Sequence, residues 1–320
     1  SAVYGVGTML SRAVGFIMLP VYTRYLMPSD YGILELVEIT MKFIGLACGL
    51  GASLAVSRFY FSEEIQKQRN ILIASAYFLI FVVSVGLYLL ISPFLNTISN
   101  LLFDQTMYSS YIGVAMASLF LGLIIDVGIN YLRILQKSNL VVASSVSRLF
   151  LSLVLNIYFI VFRGWGVLGI IYSTFITNTL FALVITLPII FKTGFVISLK
   201  KIQQMLKYSL PLIPSDIMRA VLSSCDRYFL KSFVSLDAVG IYGLAKKFGS
   251  ALQMFTISPF IQTFVPRRFE LGKREDAPYI FAKVFKYYCF VIFTVTVIGC
   301  LFSREVIVLM TTAAYHKAVN

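Results

Sequence analysis

The residues of this chain best placed to do chemistry are ionisable side chains inside long apolar runs. Arg12, Lys42, Arg148, Arg219 and Lys246 each interrupt a stretch of aliphatic, aromatic and small residues, and so do Glu38, Asp126 and Asp216. In lipid such a charge costs roughly 2.5–3.5 kcal/mol or more unless it faces a cavity or a partner, which makes each one a candidate site residue. Helical periodicity sets them on faces shared with small or polar residues. Arg12 falls in line with Gly5, Thr8 and Gly15; Lys42 with Glu35, Glu38, Gly45 and Gly49. Asp126 aligns with Gly122, Asn130 and Arg133, and Arg148 with Ser145, Ser152 and Asn156. Arg219 aligns with Ser215, Ser223 and Asp226, with Asp216 beside it, and Lys246 with Tyr242, Gly249 and Gln253. Faces of this kind look inward. Together they predict a water-filled, largely cationic cleft.

Such a cleft suits a polyanion. Guanidinium groups grip phosphate oxygens in pairs, and a basic cavity concentrates anionic ligands. Arg12 and Arg219 stand near mid-span, and no acid lies within the span of Arg12. They are expected to contact the ligand, with Lys42, Lys246 and Arg148 in support. The competing readings are local: Lys42 can pair with Glu38 one turn away, and Arg148 could satisfy Asp126 on a neighbouring helix. Glu38, Asp126 and Asp216 are expected as coupling or ion-pair residues, Asp126 being the proton-site candidate. Nothing points to an enzyme: there is one histidine, His316, and no Ser/His/Asp set, HExxH, P-loop or GxGxxG context. Cys48, Cys225, Cys289 and Cys300 are scattered, with no metal-ligand or disulfide spacing, and no cofactor is implied.

The elements that must position these residues are membrane spans. The 320 residues are 59% hydrophobic and 13% charged, about half the charged share of a soluble domain, and mean hydropathy is +0.87. A spanning helix needs about 20 mostly apolar residues. Nine candidates follow: Val3–Tyr25, Ile33–Phe61, Asn70–Ile91, Tyr108–Leu132, Leu140–Phe162, Trp165–Phe191, Met205–Leu230, Ala238–Val265 and Ile280–Phe302. The net charge of +13 sits mainly in the even connections, such as "RFYFSEEIQKQRN" and "RRFELGKRED", while the stretch between spans 3 and 4 has no Lys or Arg. That asymmetry places the even connections and the N-terminus in the cytoplasm. It also accounts for the positive charge without nucleic acid, for which no basic and aromatic patch exists.

The chain punctuates its apolar sequence twice in one manner. Arg24-Tyr25, Asp30, Gly32-Ile33 and Lys42-Phe43 recur as Arg227-Tyr228, Asp237, Gly240-Ile241 and Lys247-Phe248. Six spans separate the two units, so both share an orientation, as in transporters built from parallel repeats. The expected fold is therefore an all-α polytopic membrane protein of two parallel-related six-helix bundles around a central cavity. Residues 1–195 form the first lobe, spans 1–6. Residues 196–320 form a partial second lobe, spans 7–9 and the approach to a tenth, as in a fragment of a longer chain. Pro20, Pro211 and Pro214 interrupt spans 1 and 7.

The opening "MLSRAVGFIMLPVYTRYLMPSDYGILELVE" resembles that of bacterial polysaccharide repeat-unit flippases of the multidrug/oligosaccharidyl-lipid/polysaccharide exporter superfamily. "KYSLPLIPSDIMRAVLSSCDRYFLKSFVSLDAVGIYGLAKKF" resembles the start of that family's second lobe, and "EVIVLMTTAAYHKAV" its approach to helix 10. The resemblance implies a multi-pass protein of the bacterial inner membrane. It would flip a lipid-diphosphate-linked oligosaccharide to the outer leaflet by alternating access, alongside a polysaccharide polymerase and other assembly proteins. Arg12 and Arg219 would meet the diphosphate or an acidic sugar. The alternative is a cation-coupled multidrug exporter of the same superfamily, disfavoured because span 1 carries Arg12 and no acid. A membrane-embedded glycan polymerase or transferase would need a larger loop than these connections supply.

Overall fold

The computed structural model describes residues 18–271 and 276–319, which form helices and no strands. Arg12 and most of the first candidate span lie outside them. α1 (Leu19–Tyr25) carries Pro20 in its first turn, where a missing N–H costs nothing. α2 (Pro28–Gly49) opens on Pro28, and the Asp30 carboxylate accepts the Met27 backbone N–H at 3.1 Å, capping the helix. Leu50 and Gly51 (φ 45° and 59°) then turn the chain into α3 (Ala52–Tyr60).

α4 (Gln66–Ile91), α5 (Leu95–Phe103), α6 (Ser109–Ile134) and α7 (Ser138–Ile157) follow, α7 ending in a π-turn over Tyr158–Phe162; α8 is Gly166–Thr193. α6 is the central post of this first bundle, packing on α2, α4, α7 and α8. Ile112, Met116, Ile125 and Val127 of α6 are wholly buried. Outward-facing Phe81, Phe150, Val184 and Phe191 remain exposed, as lipid-facing residues do.

The seventh candidate span is not one helix. It breaks into α9 (Leu199–Ser209), a 3-10 turn at Leu210–Leu212, α10 (Ile213–Ser224) and α11 (Asp226–Phe233). Pro211 and Pro214 lie in or beside that turn, where they remove N–H donors that a continuous helix would use. α12 (Leu236–Leu271) and α13 (Ala277–Leu301) complete the long helices, and α14 (Ser303–Met310) leads to a 3-10 segment, Ala313–Val319. Among the described residues, six stretches are long and apolar enough to cross a membrane: Pro28–Tyr60, Gln66–Phe103, Thr106–Ile134, Ser138–Phe162, Gly166–Thr193 and Ala277–Leu301. These correspond to candidate spans two to six and nine.

The two punctuated stretches meet each other. α2 and α12 cross at their first turns, Gly32 and Gly240 each being the fifth residue of its helix. A Cβ on Gly240 would fall 1.9 Å from the Pro28 carbonyl oxygen, and one on Gly32 would fall 2.1 Å from that of Leu236. Only glycine permits this approach. The repeated Gly-Ile is thus the point where the bundles touch.

The same end carries further contacts. Tyr315 donates to the Leu26 carbonyl at 3.0 Å and meets the Tyr31 ring edge-on, with centroids 6.2 Å apart. Burial raises the Tyr315 phenol above its ordinary range, so it stays a hydrogen-bond donor. Thr312 donates to the Thr23 carbonyl at 3.0 Å, and Lys231 pairs with Asp104 at 2.8 Å.

Candidate functional site

Beyond this crossing a polar cavity of about 410 Å³ lies between the bundles. α2 brings Glu35, Glu38 and Lys42 to it on one face, since these residues are three and four apart. α10, α11 and α12 bring Ser223, Ser224, Arg227, Lys246 and Lys247.

Most of the charges form one linked network. Nearest the crossing, Glu35, 4% exposed, takes Arg227 Nε on one oxygen at 3.3 Å and Lys247 Nζ on the other at 3.1 Å. Gly243 makes room: a Cβ there would sit 2.7 Å from Glu35 Cγ. Lys247 also lies over the Tyr31 ring, 4.8 Å from its centroid. Arg227 also stands 3.9 Å from Asp226; Lys246 binds Asp226 at 2.9 Å and the Ser223 carbonyl at 2.7 Å, and Tyr242 donates to the same Asp226 oxygen at 2.7 Å. Lys42 donates to Ser223 Oγ at 2.9 Å and Ser224 Oγ at 3.2 Å. Two ammonium groups from different bundles therefore converge on Ser223, and Lys42 has only hydroxyl partners among the described residues.

A second polar chamber, of about 440 Å³, lies within the first bundle, lined from α1, α6, α7 and α8. It holds Asp126 and Arg148, with the hydroxyls of Ser145, Ser152, Thr174 and Thr177. Its walls are held by amides. Asn178 accepts from Arg148 at 2.7 Å and donates to the Ser118 carbonyl at 2.9 Å; Asn156 donates to Tyr22 at 3.1 Å and accepts from Ser173. A third, mainly apolar space of about 520 Å³ joins the two, sharing Glu38 and Lys42 with the interbundle cavity and Thr174 and Asn178 with the chamber.

The expected site residues are thus divided. Lys42, Lys246 and Glu38 come together between the bundles, and Arg148 and Asp126 share the chamber. Neither local pairing forms. Lys42 turns to the serines of α10 rather than to Glu38, because α10 packs against α2 and offers acceptors across the gap. Arg148 reaches Asn178 rather than Asp126, with no ion pair within 4 Å between the two charges. Arg219 does not line the interbundle cavity; its side chain is 75% exposed and pairs with Asp216 at 2.6 Å along α10.

Two features went unread in the sequence. The Glu35–Arg227–Lys247 cluster joins residues about two hundred positions apart, and its signal was Arg227 standing inside the repeated punctuation. The α8 part of the chamber lining was signalled only by the polar run Thr177-Asn178-Thr179, whereas Ser145, Ser152 and Asn156 of α7 followed from periodicity.

Known proteins agree with this architecture. The family model described as polysaccharide biosynthesis protein matches residues 1–271. No curated protein sequence matches significantly. Among solved structures, a multidrug resistance MATE family transporter of the MOP superfamily, in an inward-facing conformation, superposes with a TM-score of 0.74 at 17% identity, over 96% of this chain and 75% of that one. An outward-facing structure of a MATE family transporter of that superfamily gives 0.64 at 19% identity, over 99% and 74%. A MOP superfamily transporter from Pyrococcus furiosus, reported with a binding pocket of reversed polarity, gives 0.61 at 19%, over 99% and 74%. The bundles meeting at Gly32 and Gly240 are those of a MATE-like fold, and the chain, a multi-pass membrane protein by its apolar helices, belongs to the polysaccharide biosynthesis protein family.

Proposed function

We propose that this transporter flips a lipid-diphosphate-linked oligosaccharide from the cytoplasmic to the outer leaflet, binding the diphosphate between its bundles. The observation that carries the reading is the convergence of Lys42 and Lys246 on Ser223. A diphosphate entering there would find two ammonium groups and two hydroxyl donors in a cavity partly shielded from water, where charge-assisted hydrogen bonds are strong. Lys42 exchanges its serine partners for phosphate oxygens without breaking an ion pair. The cavity's four bases, Lys42, Arg227, Lys246 and Lys247, outnumber its two acids, Glu35 and Glu38, which disfavours a cationic drug and so a multidrug exporter.

The side of opening follows from the same geometry. The bundles touch where α2 and α12 begin, the end reached by the odd connections, which the Lys and Arg distribution assigns to the outside. The cavity residues Lys42 and Ser250 lie two to three turns further along α2 and α12 than the glycines, on the cytoplasmic side of this contact, which supports an inward-open reading that loads from the cytoplasmic leaflet. The Glu35 cluster and the Tyr315 contacts form the outer closure.

The reading is tested in a bacterium lacking its own repeat-unit flippase and making the matching glycan. Wild-type protein restores outer-leaflet oligosaccharide; Lys42→Ala with Lys246→Ala, folded and inserted, does not. Full transport by the double variant would refute the diphosphate assignment.

A further inference from the structure

The chamber inside the first bundle has no place in a diphosphate site, yet it is built for a ligand. Its volume, about 440 Å³, lies within the range of small-molecule sites, roughly 300–1,000 Å³. Its charged groups are one acid, Asp126, and two bases, Arg148 and Arg133, so it is not a site for a cation. What it offers is a dense alternation of donors and acceptors: the Arg148 guanidinium, the Asp126 carboxylate and the hydroxyls of Ser145, Ser152 and Thr174. Thr177 is 1% exposed, lines the chamber, and its hydroxyl has no partner among the described residues. A buried hydroxyl left unpaired costs free energy that a ligand hydroxyl would return. Groups that both donate and accept, set side by side, match the vicinal hydroxyls of a sugar ring. The joining space supplies the route, because it shares Lys42 with one cavity and Thr174 and Asn178 with the other.

We propose that the chamber bounded by Asp126, Arg148 and Thr177 is a saccharide subsite, taking a hexopyranose of the cargo while the diphosphate rests at Lys42 and Lys246. This rests on the function proposed above. Arg148, held by Asn178, presents its remaining N–H groups to ring hydroxyls, and Asp126 accepts from them. A cargo without a sugar would leave the chamber empty and Thr177 unpaired.

The test separates the two assignments. Full-length protein, with Cys48, Cys225, Cys289 and Cys300 replaced by alanine, carries one reporter cysteine: Ser145→Cys in the chamber or Ser250→Cys at the interbundle cavity. Ser145 donates only to a carbonyl of its own helix, at 2.8 Å, so its loss leaves the walls intact. Maleimide labelling rates are measured in lipid nanodiscs with a polyprenyl diphosphate, bare or linked to a neutral disaccharide. The bare carrier should slow labelling of Ser250→Cys alone, and the linked carrier should slow both reporters. Thr177→Val should weaken only the linked carrier, roughly 3- to 10-fold for one hydrogen bond, and Arg148→Leu more, leaving the bare carrier unchanged. If the linked carrier slows Ser250→Cys but not Ser145→Cys, the saccharide subsite is overturned and the flippase reading stands. If it slows Ser145→Cys alone, the subsite stands and the diphosphate assignment falls. If neither carrier slows either reporter, both fall. Protection of Ser145→Cys by tetraphenylphosphonium and not by the linked carrier would overturn the subsite in favour of a drug site.

Discussion

Adding one methyl group at Gly240 should part α2 from α12 at their first turns, the outward-open direction in the transport cycle proposed above. The new Cβ would stand 1.9 Å from the Pro28 carbonyl oxygen, so α2 and α12 must separate by about 1.5 Å to reach ordinary contact. The obstacle is backbone, which cannot swing aside as a side chain can. Overpacking of this kind costs about 1–3 kcal/mol. The cost falls only on the state in which the helices touch, because a helical Gly→Ala change is mildly favourable wherever there is room. The equilibrium should therefore move roughly 5- to 150-fold. Separation also loosens the Glu35 contact with Lys247, which joins α2 to α12. Spin labels at Met27 and Phe233, both exposed beside the crossing, would report the change by pulsed electron–electron distance measurement. Gly240→Ala should raise the long-distance population, and Gly249→Ala, with nothing within 4 Å of its added Cβ, should not. Identical distance distributions for wild type and Gly240→Ala would refute the argument that this contact holds the outer end closed.

Other substitutions follow from the same geometry. Glu35→Ala strands Arg227 and Lys247 around a vacated site; with Lys247 still 35% exposed, the loss should sit near the low end for a broken buried pair, about 3 kcal/mol, read as a lower midpoint of thermal unfolding in detergent. Tyr315→Phe removes one hydrogen bond to the Leu26 carbonyl and should weaken outer closure by about 1 kcal/mol, visible with the same spin labels. Arg219→Ala breaks only an exposed pair, worth about 0–1 kcal/mol, and should leave the unfolding midpoint and transport near wild type.

How much could be read beforehand depended on which force set each feature. Lipid demands long apolar runs, so spans two to six and nine were plain in the sequence. The seventh span looked continuous because its composition stays apolar through Leu210–Leu212, while the backbone breaks there for want of proline N–H groups. The repeat was visible as punctuation, but that Gly32 and Gly240 touch is a matter of packing between helices two hundred residues apart. The polar faces were legible from periodicity; their partners were not. Lys42 lies one turn from Glu38 in sequence, yet the serines of α10 lie nearer its ammonium in space. Uncharged polar residues such as Thr177 and Asn178 gave the weakest signal, since a spanning helix can satisfy hydroxyls on its own carbonyls, as Thr174 and Thr179 do.

The crossing of α2 and α12 also bears on how such a molecule could be assembled. The fifth residues match, glycine against glycine, as a two-fold related contact between like halves requires. The eighth do not: α2 offers Glu35 and α12 offers Gly243, whose missing side chain is the socket for that carboxylate. Two identical half-molecules could not hold this arrangement. With glutamate in both, the carboxylates would collide; with glycine in both, the basic groups would face an empty socket. Joining the halves into one polypeptide frees each to diverge, one becoming the key and the other the lock.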